Sequence, residues 1–431
     1  MALKIKKKKN IGKRLAVITI LGIQGGKVEN EQAMISDIDN KANYYFTGQE
    51  AKKYFNTLPL LVEKYASKYK IIPIYTKEAK IFNEEVFNQA YESLKNKFYF
   101  DDNHKIDDER DINQIFQLYN KTLEEFDEVI VDVTHGFRHL PLLMIVELIM
   151  QNFKSIEKIK HIYFAKEIEK FKLYEIVDLK EYLDIANISF ILTNFGKNFT
   201  VANHIQSKKY ENLIKSLNEF SNDMMALNLN NLFTKSSKNL INELENIDDV
   251  SIKSQSQKLI EEIEEITDYK DKKRYKTYFD LANHLVEKNY ILLSISLLYE
   301  SVRLYIKTTI KQSSKDIVEK IEKSLNDDLY KIGDFFIKFK DDYTFQKLQN
   351  SRDYKDIITQ QEFIQIKNAF PKKVLNNYKF EVNNNRDKSL LDTIAHSRND
   401  LAHANSQKSF KDIKKNIKEV LNKYKEICIE Q

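Results

Sequence analysis

The sequence predicts a two-part chain, with an N-terminal α/β domain on a mostly parallel, Rossmann-like sheet followed by an all-α domain. Short β-branched runs alternate with amphipathic helical stretches in the first part, a pattern typical of parallel sheets with helical crossovers. After Tyr182 the strand pattern largely stops, and apolar residues recur with the period of helices. Only 8 glycines and 4 prolines among 431 residues also favour long helices. We therefore expect domains at residues 1–185 and 186–431.

Short apolar segments of the first domain have the composition of buried strands. They are Leu15–Leu21, Lys70–Tyr75, Glu128–Val133 and Lys160–Phe164, with Leu173–Val177 as a candidate fifth. Helices are expected near Gly48–Ser67, Asn83–Lys97, Asp111–Glu125 and Leu140–Phe153. Because helical stretches separate most of these strands, the strands should lie parallel to one another.

The start of the chain imitates the charged and apolar regions of a signal peptide. Lys4–Arg14 is basic and Leu15–Ile23 is apolar, but charged sequence follows without a small-residue cleavage site. The apolar segment is also too short to span a bilayer. A buried strand behind a basic tail is the better interpretation, and no membrane partner is expected.

Charge and cysteine content exclude several classes of protein. The 69 basic and 64 acidic side chains leave a net charge of +5, so opposite charges largely cancel. That balance does not fit a polybasic coat protein for nucleic acid. Cys428 is the one cysteine, which excludes an intrachain disulfide and a multi-cysteine zinc site. A reducing, cytoplasmic location is therefore expected.

Two segments of the helical half differ in composition from the residues around them. Tyr290–Ile310 is the most apolar and is predicted to be a core helix. Glu300 and Arg303 interrupt it three residues apart, which favours an ion pair facing a partner helix or a cleft, with a catalytic role as the alternative. Asn246–Lys273 is strongly charged and is predicted to be an exposed hairpin or an insertion.

Residues 398–403, Arg-Asn-Asp-Leu-Ala-His, place a guanidinium, an amide and an imidazole within two helical turns. Arg398 suits a bidentate phosphate contact, Asn399 a hydrogen bond, and His403 proton exchange near neutral pH. Ser397 and Asp400 resemble a capping box, so Arg398 is predicted to be the first residue of a helix, where free N–H groups attract phosphate. On one ideal helix Arg398 and His403 lie about 140° apart. An exposed polar helix without catalytic function is the alternative.

A glycine cluster follows the first predicted strand. Gly22, Gly25 and Gly26 would let backbone N–H groups approach a ligand closely. Their spacing matches neither the dinucleotide fingerprint nor a Walker sequence. A plain strand-to-helix turn is the alternative.

A polar loop follows the predicted strand Glu128–Val133. In doubly wound sheets, ligands bind at the carboxyl ends of strands near the topological switch point. Thr134, His135 and Arg138 would supply hydroxyl, imidazole and guanidinium donors there, and Gly136 would permit the turn. The sequence therefore predicts an anion-binding loop at this position.

No metal site is expected. His135 and His139 are four residues apart, but the sequence between and after them disfavours a helix across both, so a structural role is expected for His139. Asp101–Asp111 is acidic and contains His104, yet shows no recognisable ligand spacing. It is predicted to be a solvated loop that leads into a helix.

Taken together, these segments resemble CRISPR-associated CARF–HEPN ribonucleases of type III systems over nearly the whole chain. Residues 132–138, Asp-Val-Thr-His-Gly-Phe-Arg, are similar to the sensor-domain signature of that family. Residues 21–26, Leu-Gly-Ile-Gln-Gly-Gly, resemble its first ligand loop, and residues 398–403 resemble the HEPN nuclease signature. Residues 160–165 fit a family strand, although Phe164 stands where relatives often have glycine.

The resemblance implies a CARF sensor domain that binds a cyclic oligoadenylate and a HEPN domain that cleaves single-stranded RNA without metal or cofactor. Each site would form between two copies of its domain, in a homodimer or a higher even oligomer. The implied ligand-binding residues are Gly22, Gln24, Gly25, Asp132, Thr134, His135, Gly136 and Arg138. The implied catalytic residues are Arg398, Asn399 and His403.

The implied reaction is attack of the RNA 2′-hydroxyl on its adjacent phosphate, which leaves a 2′,3′-cyclic phosphate. The cyclic tetra-adenylate is the favoured activator, with the hexa-adenylate as the alternative. Three other functions compete with this one. They are a CARF sensor without enzymatic activity, a ring nuclease that opens its own activator, and a toxin-like HEPN enzyme without ligand control.

Overall fold

The computed structural model of the chain describes residues 13–155, 157–201, 207, 209–268, 273–340, 342–380, 387–403 and 407–430. Two compact units make up the chain. One contains residues 1–191 and 202–211, here called the α/β unit, and the other contains residues 192–201 and 212–431, here called the helical unit. Of the basic N-terminal run, residues 4–12 lie outside the described residues.

The α/β unit is built from strands and helices that alternate along much of the chain. Its strands are β1 (Leu15–Ile20), β2 (Gly26–Glu29), β3 (Gln32–Ile35), β4 (Ala42–Phe46), β5 (Lys52–Tyr54), β6 (Lys70–Ile74), β7 (Glu128–Asp132), β8 (Ile159–Glu169) and β9 (Leu173–Asp178). Its helices are α1 (Thr57–Tyr65), α2 (Lys77–Ala90), α3 (Ile112–Glu124) and α4 (His139–Lys154), and α5 (Lys180–Asn198) contains the boundary to the helical unit. The boundary predicted after residue 185 also falls within α5.

Seven strands form one sheet in the order β5-β4-β9-β8-β7-β1-β6. The neighbours β6–β1, β1–β7, β7–β8 and β9–β4 are parallel, whereas β8–β9 and β4–β5 are antiparallel. Strands β2 and β3 pair only with each other, as a separate hairpin. The mostly parallel sheet and the five predicted strands are confirmed.

The sequence pattern did not reveal strands β2 to β5. The segment Gly48–Ser67 was expected to be one helix, but it forms strand β5 first and helix α1 after it. Strand β5 carries two exposed lysines at the edge of the sheet, a common device that discourages further strand pairing and hides the apolar alternation. The helix expected from Asn83 begins at Lys77, because the Thr76 side chain accepts a hydrogen bond from Ala79 N and caps it there.

Both faces of the sheet are buried, which explains why the sequences of its central strands are continuous apolar runs. Successive side chains of a strand point to opposite faces. Ile18 and Val131 therefore pack on one side of the sheet, and Val17 and Ile130 on the other. Burial of each such side chain contributes about 1.5–3 kcal/mol, so the two central strands are firmly fixed.

The helical unit consists mainly of helices around one central element. Its elements are α6 (Glu211–Met225), α7 (Leu229–Asn231), α8 (Ser237–Glu245), α9 (Val250–Thr267), α10 (Arg274–Glu287), α11 (Ile291–Ser313), α12 (Lys315–Ser324), α13 (Leu329–Ile337), α14 (Phe345–Gln349), α15 (Gln360–Ala369), α16 (Leu390–Ala402) and α17 (Phe410–Tyr424), with the short antiparallel strands β10 (Asn377–Lys379) and β11 (Asp387–Ser389). Helix α11 packs against α10, α12, α13, α15, α16 and α17. The predicted core helix is confirmed. Within the described ranges, no helix combines the length and the apolar character that a membrane span needs.

The prediction of a hairpin at Asn246–Lys273 is wrong. The segment forms the single helix α9, which begins after the Asp249 cap. Ile252, Leu259 and Ile263 are buried on one of its faces. The abundant charges lie on the opposite face, so the overall composition of the segment does not reveal this apolar stripe. Residues 269–272 lie outside the described residues.

Candidate functional site

The first candidate site lies where two loops meet at the carboxyl ends of β1 and β7. Strand β1 lies between β6 and β7, and its register places Thr19 beside Asp132. The chain passes from β1 to β6 on one side and returns to β7 on the other, which makes this the topological switch point. A Cβ atom on Gly22 would lie 2.8 Å from Gly136 N, so the two loops are in direct contact.

Asp132 is the buried centre of this site. Its Oδ2 accepts hydrogen bonds from the hydroxyls of Thr19 (2.8 Å) and Thr57 (2.7 Å). Its Oδ1 accepts from Thr134 N (3.1 Å) and from the Thr134 hydroxyl. Thr134 Oγ1 in turn accepts from Ala165 N on β8 (2.9 Å). Asp132 and Thr134 therefore hold the loop in place, and their polar atoms are engaged by the protein itself.

His135 is half-buried beside the start of α1. Burial lowers the pKa of its imidazole, and the negative charge of Asp132 opposes that shift only in part. Thr57 N donates a hydrogen bond to His135 Nε2 (3.4 Å). In the neutral ring the proton then resides on Nδ1, so His135 offers one donor and no positive charge near neutral pH.

Arg138 supplies the positive charge of this loop. Its side chain is exposed immediately before α4 and forms no hydrogen bond or ion pair with any described residue. The ring of the neighbouring Phe137 is 51% exposed. His139, by contrast, contacts the carbonyl oxygen of Glu109 through Nε2 (2.8 Å), which confirms its structural role.

The glycine loop after β1 leads into the β2–β3 hairpin, not into the helix that the plain alternative assumed. Gly25 has a φ of +76°, which favours glycine, and its carbonyl accepts a hydrogen bond from Ser36 N (3.0 Å). Gly22 O accepts from Asn83 Nδ2 (3.1 Å). Gln24 Oε1 is buried, and the Gln24 side chain lies against the Tyr44 hydroxyl.

Sequence reasoning missed the residues that join these loops to α1. Thr19 and Thr57 bind Asp132, and Asn56 caps α1 by accepting a hydrogen bond from Leu58 N. A signal for this helix start was present, since Asn56 immediately precedes an apolar run. Nothing in the local pattern, however, indicates that Asp132 is the partner of Thr57.

The second candidate site is the C-terminal half of α16, and its predicted position in the helix is wrong. Arg398 is not the first residue of a helix. Helix α16 begins at Leu390, because Ser389 Oγ accepts a hydrogen bond from Asp392 N (3.0 Å) and caps it. Ser397, the expected cap, is buried within the helix. The free N–H groups of a helix start are therefore not available beside Arg398.

The residues of α16 divide between two faces of the helix. Arg398 is half-buried on the side of α11, with its guanidinium 5.1 Å from the Tyr299 ring centroid. Asn399 and His403, four residues apart, are both exposed, and Asn399 Oδ1 accepts a hydrogen bond from Arg398 Nη1 (3.4 Å). His403 is the C-cap residue, and its backbone N–H donates to Asn399 O (3.0 Å). One protomer thus leaves Arg398 and His403 on different faces, as an ideal helix predicts.

A second histidine lies on the exposed face. His396 precedes His403 by seven residues, so the two share one side of α16. His396 Nε2 lies 3.3 Å from Asp400 Oδ2. The sequence analysis did not single out His396 and Asp400, although side chains four residues apart on a helix are neighbours. Among the described residues, no three His, Cys, Asp or Glu side chains are grouped so that they would hold a metal ion.

Comparisons with family models and curated proteins find no match for this chain. Among solved structures, it is similar to Enterococcus italicus Csm6 bound to cyclic hexa-2′-fluoro-hexa-dAMP. That match has 12% sequence identity and a TM-score of 0.32, and covers 97% of this chain and 96% of that chain. The likeness is distant, and the fold described above rests on the sheet order and helices of this chain.

Proposed function

We propose that this protein is a CARF–HEPN endoribonuclease that a cyclic oligoadenylate activates, and that it cleaves single-stranded RNA without metal. One observation carries the proposal. Two loops that lie more than a hundred residues apart in sequence meet at the switch point of the sheet and are held there by Asp132. Ligands of open α/β sheets bind at this place. The two loops are also the segments that resemble the family's ligand loops.

The chemistry of this loop pair suits a ring of nucleotides. Arg138 is an exposed cation without a protein partner among the described residues, which suits a phosphate oxygen. Neutral His135 offers a ring donor, which suits the hydrogen-bonding edge of an adenine base. The Asp132 carboxylate is surrounded by internal donors, so it presents little bare negative charge to the ligand phosphates.

Helix α4 supplies a surface that suits pairing with a second copy of the chain. Leu142, Val146 and Met150 recur every four residues and are 68%, 49% and 44% exposed. A two-fold interface places the same patch of both copies face to face, so an uncharged apolar stripe is self-complementary. Because α4 begins directly after Arg138, such pairing would place the two ligand loops in one assembly. Val146→Asp should then shift sedimentation from dimer to monomer, whereas Lys154→Ala on the same helix should not.

Pairing of two α16 helices would complete the nuclease site. His403 would act as general base or acid for the attack of the 2′-hydroxyl, an effect of about 100- to 10,000-fold. Arg398 would stabilise the charge that develops on the phosphate, by about 3 kcal/mol. Asn399 would orient the phosphate. Because the two faces of α16 are separated in one protomer, the proposal assigns Arg398 and His403 of both copies to one groove.

The test is a ribonuclease assay on full-length protein with each cyclic oligoadenylate in turn, with and without chelator. We expect one ring size to activate cleavage, chelator to have no effect, and the products to end in 2′,3′-cyclic phosphate. DNA of the same sequence should resist, because it lacks the attacking hydroxyl. Equal cleavage without any cyclic oligoadenylate, or no cleavage with any of them, would contradict the proposal. Ring opening of labelled activator, followed in the same samples, identifies a ring nuclease.

A further inference from the structure

Four side chains of the helical unit form an alternating stack of aromatic rings and guanidinium groups. The Arg303 guanidinium lies over the Tyr330 ring at 4.9 Å and over the Tyr299 ring at 5.6 Å. The Tyr299 ring also carries the Arg398 guanidinium at 5.1 Å. The order is therefore Tyr330, Arg303, Tyr299 and Arg398, here called the stack. It joins α13, α11 and α16.

The middle of the stack is fixed by contacts that leave Arg303 little freedom. Arg303 is 3% exposed, pairs with Glu300 Oε1 at 2.6 Å, and donates a further hydrogen bond to Tyr330 O. The expected ion pair facing a partner helix is thus confirmed. A Cβ atom at Gly333 would lie 2.5 Å from Arg303 Nε, so glycine provides the space in which the guanidinium lies flat against α13.

The two ends of the stack differ from its middle. Tyr330 is 68% exposed, whereas Arg398 belongs to the candidate nuclease segment. Arg303 packs against the Tyr330 ring and donates a hydrogen bond to the Tyr330 carbonyl. The ring is therefore an exposed aromatic surface anchored by a buried residue. Aromatic rings and arginine planes are the surfaces on which proteins stack unpaired bases.

We infer that the stack is a binding platform for the substrate RNA, with a base of the single strand stacked on Tyr330, while Tyr299 acts as a positioning residue that orients Arg398. This inference rests on the proposed function. An RNA strand bound along the stack would have a base against Tyr330 and its phosphate backbone near Arg398. Base stacking tolerates any sequence, because every base has an aromatic face. The platform therefore provides affinity without strong base preference.

The experiment measures binding of fluorescein-labelled single-stranded RNA by full-length protein with activating cyclic oligoadenylate. His403→Ala serves as the background, so that the RNA survives. Addition of Tyr330→Ala should weaken binding by on the order of 5- to 100-fold, and Tyr330→Phe should retain it. Leu329→Ala is the matched control, since Leu329 is 53% exposed on the same helix turn and lies outside the stack.

RNA that lacks its bases separates stacking from electrostatic attraction. If a base stacks on Tyr330, abasic RNA should bind equally to the protein with and without Tyr330→Ala. In the His403 wild-type protein, Tyr330→Ala should raise KM and leave kcat nearly unchanged, because stacking stabilises bound substrate and transition state alike. Tyr299→Leu should instead lower kcat, and Tyr299→Phe should restore it.

The outcomes keep this inference separate from the proposed function. Two results together would overturn the platform alone. The wild-type protein would cleave RNA on activation, and Tyr330→Ala would bind RNA as tightly as Tyr330→Phe. A Tyr330→Ala penalty that persists in full with abasic RNA would also overturn it. Wild-type protein that cleaves no RNA with any cyclic oligoadenylate would instead overturn the proposed function.

Discussion

The two candidate sites are built in opposite ways. In the α/β unit, Asp132 joins Thr19, Thr57 and Thr134 in one hydrogen-bonded network. In the helical unit, Asn399 and His403 project from α16 on one face while Arg398 packs against Tyr299 on another. The first group of residues is joined within one protomer, whereas Arg398 and His403 of the second lie on different faces of one helix.

Under the proposed function, this difference would let one chain separate sensing from chemistry. A buried, satisfied network is rigid and would present a fixed shape to a ligand. Catalytic groups that diverge in a single protomer would stay inactive until an assembly brings their faces together. Under the proposed function, a ligand gains control when it binds one arrangement of the assembly better than another, since equal affinity shifts nothing.

The largest expected effect comes from the exposed imidazole of α16. His403→Ala should lower activated RNA cleavage by about 100- to 10,000-fold, because proton transfer would be lost, and should leave cyclic oligoadenylate binding intact. Cleavage rate and calorimetric ligand binding are the two measurements. His396→Ala is the matched control on the same helix face and should retain activity. Undiminished cleavage by His403→Ala would remove α16 from the mechanism.

The network around Asp132 should have the next largest effect, this time on folding. Asp132→Ala leaves three hydroxyls and an N–H group near β1, α1 and β7 without their acceptor, and should lower the free energy of unfolding by about 3 kcal/mol. Chemical denaturation of the full chain measures this loss. Asp127→Ala is the control, because the Asp127 ion pair with Arg14 is exposed. Equal stability of the two variants would show that the network does not organise the loop.

Arg138 tests the ligand contact without disturbing that network. Arg138→Ala should weaken cyclic oligoadenylate binding by on the order of 10- to 100-fold, as expected for loss of a charge-assisted hydrogen bond. Saturating ligand should restore full RNA cleavage, because the nuclease residues are untouched. Titration of activity against ligand concentration separates the two effects. Normal activation of the variant at low ligand concentration would exclude Arg138 from the pocket.

The smallest expected effects are opposite pH dependences in the two units. Burial lowers the pKa of His104, and the Glu125 carboxylate, 3.8 Å from its Nε2, opposes that shift only in part. Its contribution to stability is present above the unfolded value of about 6.5 and is lost as the pH falls through the lowered pKa. The Glu262 carboxylate, 3.8 Å from His284 Nδ1, raises the pKa of His284, despite partial burial and with further help from Glu265. Its contribution is complete below about 6.5 and is lost as the pH rises through the raised pKa.

Hydrogen exchange of the full chain, measured from pH 7.5 to 5.5, separates the two units. We expect acidification to increase exchange near His104 and to protect the α9–α10 contact around His284. His104→Leu should make the first change smaller, and His284→Gln should abolish the second. Changes of the same sign at both histidines in the wild type would contradict the assigned pKa directions.

Several features followed from local pattern alone. The five strands β1, β6, β7, β8 and β9, the core helix α11 and the Glu300–Arg303 pair were all predictable. Each depends on residues close in sequence, whose period and β-branching report burial directly. The position of both candidate loops at strand ends followed from the same pattern, since parallel strands bring their carboxyl ends to one edge.

Other features depended on contacts between distant residues. Strand β4 pairs with β9 and the edge strand β5 pairs with β4, so both depend on distant neighbours, and the charges of α9 concealed its buried face. Two of the three hydroxyls that bind Asp132 come from positions 113 and 75 residues away, which no local pattern encodes. The sequence by itself thus determined the elements and the chemical groups of this protein. The tertiary structure alone decided which groups meet, because burial and hydrogen bonding between distant residues depend on how the elements pack.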